Sequence, residues 1–172
     1  MNIYEAIQAR KSIRDFEKRP VEPEKVRRIL EAGNLAPTAM CSNADRFIVV
    51  DDPALLAKVQ EACMGQALIG KAPMVLVVCS SSVREMGCRQ RASTVDCSIA
   101  LSFMMLAATQ EGLGTCWIGG FTQEPLKAAL NIPDEYDVVA LTPLGYPAEE
   151  GRPRNRRPLE EVTYKNGWDP AF

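Results

Sequence analysis

The chain has 172 residues, 47% hydrophobic and 24% charged, which predicts one small globular domain over residues 1–172 with a single core. Its net charge of −2 gives no general attraction to nucleic acid or to an anionic membrane, so any anion must be bound by a local cluster. The chain has no histidine, which excludes catalytic triads and metal sites that depend on imidazole.

The cysteines and the N-terminal segment indicate a reducing compartment. The six cysteines are scattered, without a CxxC pair, and their spacing resembles no zinc site. The N-terminal segment carries charges among its apolar residues, and we find no apolar run close to the ~20 residues of a membrane span. We therefore expect reduced thiols and a cytoplasmic protein. The cysteines are Cys41, Cys63, Cys79, Cys88, Cys97 and Cys116.

Helix signals dominate the first part of the chain. Asn2 followed three residues later by Glu5 is a capping-box pattern, which predicts a short helix that ends near residues 10–12. A second helix is predicted to begin around Pro23 and to stop before the proline at position 37. Residues 36–43 are then predicted to form a loop.

Two short apolar runs, residues 47–50 and 73–79, predict strands. Asp52 and Pro53, between them, predict the start of a helix. Both runs are apolar at successive residues, so we expect each strand to be covered on both faces by helices. The fold class is therefore α/β or α+β.

Residues 93–112 form the longest predicted helix, which is apolar nearly all the way round and is expected to be buried on every side. A chain this small can hardly surround a helix of ~30 Å by itself. We therefore expect a homodimer, in which a second copy supplies part of the cover. A further helix is predicted at 122–131 and a last strand at 138–141.

Two basic clusters are candidates for binding a phosphate. Residues 10–14 contain three cations and a serine hydroxyl, and residues 152–157 contain four arginines. A guanidinium group can donate two parallel hydrogen bonds to a phosphate. The chain has neither a GxGxxG motif after a strand nor a P-loop, so side chains must hold any phosphate. Either cluster alone is more often a solvated basic surface.

Four segments, taken together and in order, resemble the nitroreductase family over essentially the whole chain. ArgLysSerIleArgAspPhe at 10–16 resembles the family's Arg-Arg-Ser-x-Arg-x-Phe, and AlaProThrAla at 36–39 resembles its Ala-Pro-Ser-Ala loop. GlyLeuGlyThrCysTrp at 112–117 is similar to the family's Gly-Leu-Gly-Thr-Cys-Trp segment, and ArgAsnArgArgProLeuGluGlu at 154–161 resembles its closing Lys-x-Arg-x-Pro-Leu-Glu-Glu. The resemblance implies a small, single-domain α+β fold with a mostly antiparallel sheet flanked by helices, and an interlocked homodimer with FMN at the interface.

The resemblance also implies how the cofactor is held. Two residues of each basic cluster would bind the ribityl phosphate of FMN, with Lys11 supporting them through its backbone or charge. Arg14 would approach the pyrimidine side of the flavin, where a guanidinium stabilises the negative charge of the reduced ring. The phosphate ligands implied are Arg10, Ser12, Arg154 and Arg156.

Other segments of the resemblance would contact the flavin ring. Residues Pro37, Thr38 and Ala39 would come from the partner chain. Gly119 and Gly120, which follow Trp117, would bring backbone N–H groups to flavin N5 and leave the ring face open, and a positive φ there would be a second reason for glycine. No protein residue need be catalytic, because the flavin carries the chemistry.

The chain departs from the family at residues 41–45, where Cys-Ser-Asn-Ala-Asp stands in place of Asn-x-Gln-Pro-Trp. Cys41 cannot replace the hydrogen bonds of an amide, whereas Asn43 keeps an amide one methylene shorter than glutamine. Contacts to the pyrimidine edge and the substrate pocket are therefore expected to differ. Gln66 is the nearest counterpart of the family's mid-chain asparagine.

The implied function is an oxidoreductase that passes electrons from NADH or NADPH through FMN to a small flat acceptor, such as a nitroaromatic or a quinone, in a ping-pong cycle. The alternative is a flavin-binding sensor or storage protein with little turnover. A nucleic-acid binder would rest on the arginines of residues 152–157 alone, without aromatic support, and ranks last.

Overall fold

The structure is a computed structural model that describes residues 1–152 and 154–168. Within these residues the secondary structure consists of helices, four strands and two short 3-10 turns, Ala39–Cys41 and Leu159–Glu161. The helices are α1 (Ile3–Ala9), α2 (Pro23–Asn34), α3 (Pro53–Ala62), α4 (Ala67–Lys71), α5 (Ala92–Gln110) and α6 (Gln123–Leu130). The strands are β1 (Asp45–Val50), β2 (Met74–Ser80), β3 (Gly114–Thr115) and β4 (Asp137–Gly145).

The strands form one sheet in the order β1-β2-β4-β3, and every neighbouring pair is antiparallel. Helices cover both faces of this sheet, and the sheet separates the two large clusters of the core. One cluster contains Ile29, Leu76 and Met104 from α2, β2 and α5. The other contains residues of α3, α4, α6 and the opposite sides of β2 and β4. The predicted α+β fold with a mostly antiparallel sheet is confirmed.

The predicted helix starts are confirmed by their hydrogen bonds. The Asn2 side chain accepts a hydrogen bond of 3.0 Å from the Glu5 N–H, and the Glu5 carboxylate accepts one of 2.8 Å from the Asn2 N–H. The Asp52 carboxylate caps α3 by accepting from the Leu55 N–H at 2.9 Å. These bonds satisfy N–H groups that a helix leaves without internal partners.

The strands differ from the prediction in two respects. Strand β2 is buried at every residue, as predicted, but β1 is largely half-buried or exposed, so the expectation of full cover was wrong for β1. The reason is its position, because β1 is an edge strand. Strand β4 runs to Gly145, beyond the predicted end at residue 141, and the short elements α4 and β3 were not predicted.

Helix α5 is the central helix of the core. By length and composition it could cross a membrane, with 19 residues and a mean hydropathy of 1.4, contrary to the expectation that no such run exists. In the fold it packs against α2, β2 and β4, so it is a core helix. It is not buried on every side, however, because Ser102 and Phe103 are exposed within one chain.

Close packing at the end of β4 requires a glycine at position 145. A Cβ there would lie 2.6 Å from Cδ of Pro73 and 3.2 Å from Cδ1 of Phe16, and neither ring can move away cheaply. We expect Gly145→Ala to lower the free energy of unfolding by ~1–3 kcal/mol in a denaturant titration. Gly87→Ala is the control, since nothing lies within 4 Å of its Cβ position. Equal stability of the two variants would contradict this packing.

Candidate active site

The segment after α1 is held against β3. Ser12 forms a parallel bridge with Thr115, and the Ile13 N–H donates to the Thr115 carbonyl at 2.9 Å. A Cβ on Gly151 would lie 3.0 Å from both Lys11 and Ile13, so these two side chains share one side of the segment. Side chains alternate along extended backbone, which places Ser12 on the opposite side from the Lys11 side chain.

Three arginines meet at this point from both ends of the chain. The pKa of Arg10 is lowered, first by burial and then by the positive charges of Arg154 and Arg156. Within residues 1–152 and 154–168, no carboxylate forms a salt bridge with any of the three. Like charges brought together without an anion repel one another, and a bound dianion would remove that repulsion. The fold therefore brings arginines of both predicted phosphate clusters close together.

Arg154 also anchors the C-terminal segment to α1. Its guanidinium donates to the carbonyl of Ile7 at 3.0 Å and to the carbonyl of Gln8. These are carbonyls near the C-terminal end of α1, where a cation is favoured. Two of its nitrogens are thus engaged by the helix, so that Arg10 and Arg156 have more donors left for a phosphate.

A buried hydroxyl without a partner belongs to the residue of β3 that pairs with Ser12. Thr115 is 2% exposed, and its Oγ1 has no hydrogen-bond partner among the residues that the structure describes. Arg14 lies further along the same segment, where its guanidinium donates to the Ser12 carbonyl at 3.3 Å. The cations and the serine fit the phosphate of FMN in chemistry and charge.

Beyond β3 the chain continues along the edge of β4. Ile118 and Leu141 exchange two backbone hydrogen bonds, of 2.9 and 3.1 Å. Ile118 is buried there, whereas Trp117 and Gly119 are exposed. Trp117, Gly119 and Gly120, which the resemblance implies lie at the flavin ring, therefore continue from β3 along the same edge of the sheet.

Gly120 is surrounded by the turn between α3 and α4. A Cβ on Gly120 would lie 3.0 Å from Cε of Met64 and 3.4 Å from Nε2 of Gln66, and the same amide donates to the Gly120 carbonyl at 2.7 Å. The positive φ anticipated for Gly119 and Gly120 is wrong, because the left-handed glycines in the described residues are Gly65, Gly112 and Gly151. Space, and not backbone conformation, thus explains glycine at position 120.

The loop at 36–43 is the second predicted contact region. The Ala39 N–H donates to Oδ1 of Asp96 at 3.0 Å, near the N-terminal end of α5. The Asn43 amide donates to the Cys41 carbonyl at 3.2 Å, so it is used inside the loop, and the Cys41 side chain is exposed. Pro37 is exposed and Thr38 is half-buried.

One chain does not bring the loop and the arginines together. Lys11 shares a groove with Thr109 and Gly112, at the C-terminal end of α5, whereas the loop contacts Asp96. The 13 residues from Asp96 to Thr109 correspond to ~20 Å of helix. Within one chain, the loop and the arginines therefore lie at opposite ends of α5.

Some residues at the site were not predicted from the sequence. Asp96, which binds the loop, is the one charged residue of α5, and that exception was the signal that could have identified it. Thr115 and Met64 gave no signal, because a threonine in a strand and a methionine in a turn are ordinary. Gln66, the nearest counterpart of the family asparagine, lies beside Gly120.

Comparisons with known proteins agree with this geometry. The profile described as the nitroreductase family matches residues 7–82 and 64–146. A Thermus thermophilus protein named NADH dehydrogenase is 34% identical over 89% of this chain and 90% of its own length. A Bacillus subtilis protein named FMN reductase (NAD(P)H) is 28% identical over 90% of this chain and 70% of its own length.

A solved structure shows the same fold. The crystal structure of a nitroreductase family protein from Clostridium novyi NT superimposes with a TM-score of 0.83 at 31% identity, covering 100% of this chain and 97% of that chain. The matched residues include the opening segment, the loop and the strand edge described above. On the profile, the relatives and the fold, the chain belongs to the nitroreductase family.

Proposed function

We propose that this oxidoreductase binds FMN, takes a hydride from NADH or NADPH, and passes electrons to a small flat acceptor such as a nitroaromatic or a quinone, in a ping-pong cycle. Membership of the family and the FMN reductase relative support the enzyme class, the cofactor and the donor. The observation that carries the proposal is the group of arginines 10, 154 and 156, none of which forms a salt bridge with a carboxylate among the described residues.

The residues of the chain would bind and orient the cofactor. Arg10, Arg156 and Ser12 would hold the phosphate, and Arg14 would stabilise negative charge on the pyrimidine side. Bound FMN supplies the hydride acceptor of the reaction. Gly119 and Gly120 would leave the ring edge accessible to the nicotinamide and would offer backbone N–H groups to it. No side chain has to act as a nucleophile or as a general base.

The alternative is a flavin-binding sensor or store, which the unusual residues 41–45 would favour if they abolish the acceptor site. Steady-state oxidation of NADH and NADPH with a soluble quinone distinguishes the two. The oxidoreductase consumes many equivalents of nicotinamide per flavin. A flavin that is reduced once and is not reoxidised by the quinone would support the sensor or store.

We further propose that the protein is a cytoplasmic homodimer. All six cysteines lie in described residues and are free thiols, which suits a reducing compartment. An apolar groove between α1 and α5 is lined by Ile3, Leu106 and Phe103, and Ile3 is 58% exposed within one chain. A second copy over this face would cover the groove, and the separated halves of the candidate site require that copy.

A charge in this groove should dissociate the dimer. We expect Phe103→Glu to raise the dimer dissociation constant by roughly 100-fold, since an unpaired charge in a desolvated interface costs several kcal/mol. Light scattering over a dilution series measures this change, and FMN should be released with it. Val83→Glu is the matched control, because Val83 is 98% exposed and lies outside the groove. A parent protein that is a stable monomer at micromolar concentration would contradict the proposal.

A further inference from the structure

Two aspartates, Asp45 and Asp96, lie behind the 36–43 loop. Asp96 is 2% exposed, and its Oδ1 accepts the hydrogen bond from Ala39 at 3.0 Å. Asp45 is the first residue of β1, and its Oδ1 accepts a hydrogen bond of 3.5 Å from the thiol of Cys97. The Oδ2 atoms of both aspartates are buried and have no partner among the described residues.

Two ionised carboxylates in this position would be costly. A buried carboxylate oxygen without a donor loses its hydration, and two negative charges repel each other. Burial, and to a lesser degree the charge of Asp96, raise the pKa of Asp45, while hydrogen bonds from Ser80 and Cys97 act in the opposite direction.

The other groups around Asp45 do not remove the need for a proton. From β1, the Arg46 guanidinium donates to the backbone carbonyls of Asn43 and Asp45, at 2.9 and 2.8 Å, and lowers the pKa of Asp45 least of the groups named. From β2 come the Ser80 hydroxyl and the Cys79 thiol, whose pKa burial raises to about 11. From α5 comes the Cys97 thiol, whose pKa is raised first by burial, so that it stays protonated and donates.

The two carboxyl groups are not equivalent. Asp96 accepts the Ala39 N–H, whereas the Asp45 carboxylate accepts no backbone N–H among the described residues. We propose that Asp45 and Asp96 are positioning residues, that Asp45 carries a proton in the folded protein, and that this proton keeps the 36–43 loop in place against the flavin.

The loop depends on this contact. Met40, Cys41 and Asn43 all have φ values between 48° and 56°, a backbone region that residues other than glycine adopt only at an energetic cost. The hydrogen bond from Ala39 to Asp96 joins the strained loop to α5. Loss of the proton would place two negative charges behind the loop and would weaken that attachment. The link to the flavin rests on the proposed function, whereas the proton and the loop do not.

The proton is tested first in the cofactor-free protein. Because the pKa of Asp45 is raised above its ordinary value of 3.8, the folded state binds more protons than the unfolded state as the pH rises above ~4. This contribution to stability is complete below the unfolded pKa and is lost as the pH rises through the folded pKa. Asp45→Asn carries a permanent amide donor and cannot lose a proton. The melting temperature of Asp45→Asn should therefore increase relative to that of the parent as the pH rises.

The position of the loop is tested by hydrogen exchange of residues 36–43, corrected for the intrinsic effect of pH. In the parent, protection should fall by up to about tenfold per pH unit as the pH rises from the ordinary pKa of an aspartate to the raised pKa of Asp45, and it should level off above that pKa, whereas in Asp45→Asn it should stay constant throughout. Asp51→Asn, an exposed neighbour, should behave like the parent. If Asp45→Asn does not fold, Asp96→Asn should move the same transition to lower pH. Identical pH profiles for the parent and both variants would overturn the proposal.

FMN titrations of the same proteins separate this proposal from the proposed function. If the loop responds to pH and the dissociation constant of FMN rises with it, both are supported. If the hydrogen exchange of the loop depends on pH while FMN affinity does not, the proton on Asp45 is supported, but the proposed contact between the loop and the flavin is wrong. If no FMN binds at all, the proposed function fails, and the melting and exchange experiments still decide the carboxyl pair.

Discussion

Gly120→Val is expected to slow reduction of the bound flavin by NADH or NADPH about 100-fold, with the FMN-loaded protein still folded. The first carbon of the new side chain would lie 3.0 Å from Cε of Met64 and 3.4 Å from Nε2 of Gln66, so these side chains must give way, and the valine methyl groups would intrude where the nicotinamide is proposed to stack. A displacement of ~1 Å at the reacting atoms can cost ~100-fold in rate. Because Gly120 has no positive φ, backbone strain adds nothing to this effect.

The measurement is single-turnover reduction of the FMN-loaded variant under anaerobic conditions, which separates slow hydride transfer from loss of the cofactor. FMN affinity should change little, since the proposed phosphate ligands lie elsewhere along the strand edge. Gly87→Val is the control, because its Cβ position has no neighbour within 4 Å. If Gly120→Val is reduced as fast as Gly87→Val, the glycines at 119 and 120 form an ordinary turn and the nicotinamide site lies elsewhere.

Arg10→Ala and Arg156→Ala should each weaken FMN binding by ~1.5–3 kcal/mol, which is roughly 10- to 150-fold in the dissociation constant. Each removes a charge-assisted hydrogen bond to the phosphate. The cofactor-free protein should not lose stability through this charge, because Arg10 is repelled by Arg154 and Arg156 when no anion is bound.

Fluorescence titration with FMN measures both affinities. Arg27→Ala is the matched control, since its guanidinium lies on the exposed face of α2 and pairs with Glu31 at 2.9 Å. It should bind FMN like the parent. Parent-like affinity in Arg10→Ala and Arg156→Ala together would mean that the arginines form a solvated surface and not a phosphate site.

Sequence patterns predicted the elements whose signals are local. The capping pair Asn2 and Glu5 and the wholly apolar strand β2 were correct because a few neighbouring residues determine them. The position of β1 at the sheet edge depends on which strands pair, and no local pattern contains that information. The strand β3, with two residues, is created by its pairing to β4 and could not be read from its own sequence.

The candidate site was predicted in its parts and not in its arrangement. The order of the four family-like segments identified both basic clusters, but their meeting depends on Arg154 reaching α1 across 146 residues of chain, a contact that only the fold brings about. The roles of Asp45 and Asp96 could not be predicted for the same reason. Each is unremarkable alone, and their proximity arises from packing of β1 against α5.

The most direct test is anaerobic mixing of the purified protein, loaded with FMN, with one equivalent of NADH or NADPH, while the visible absorption of the flavin is followed. We expect the protein to bind FMN and not FAD, the flavin to be bleached in a single rapid phase, and a quinone then to restore its colour. A protein that remains colourless after incubation with FMN, or whose bound flavin neither nicotinamide reduces, would contradict the proposed function.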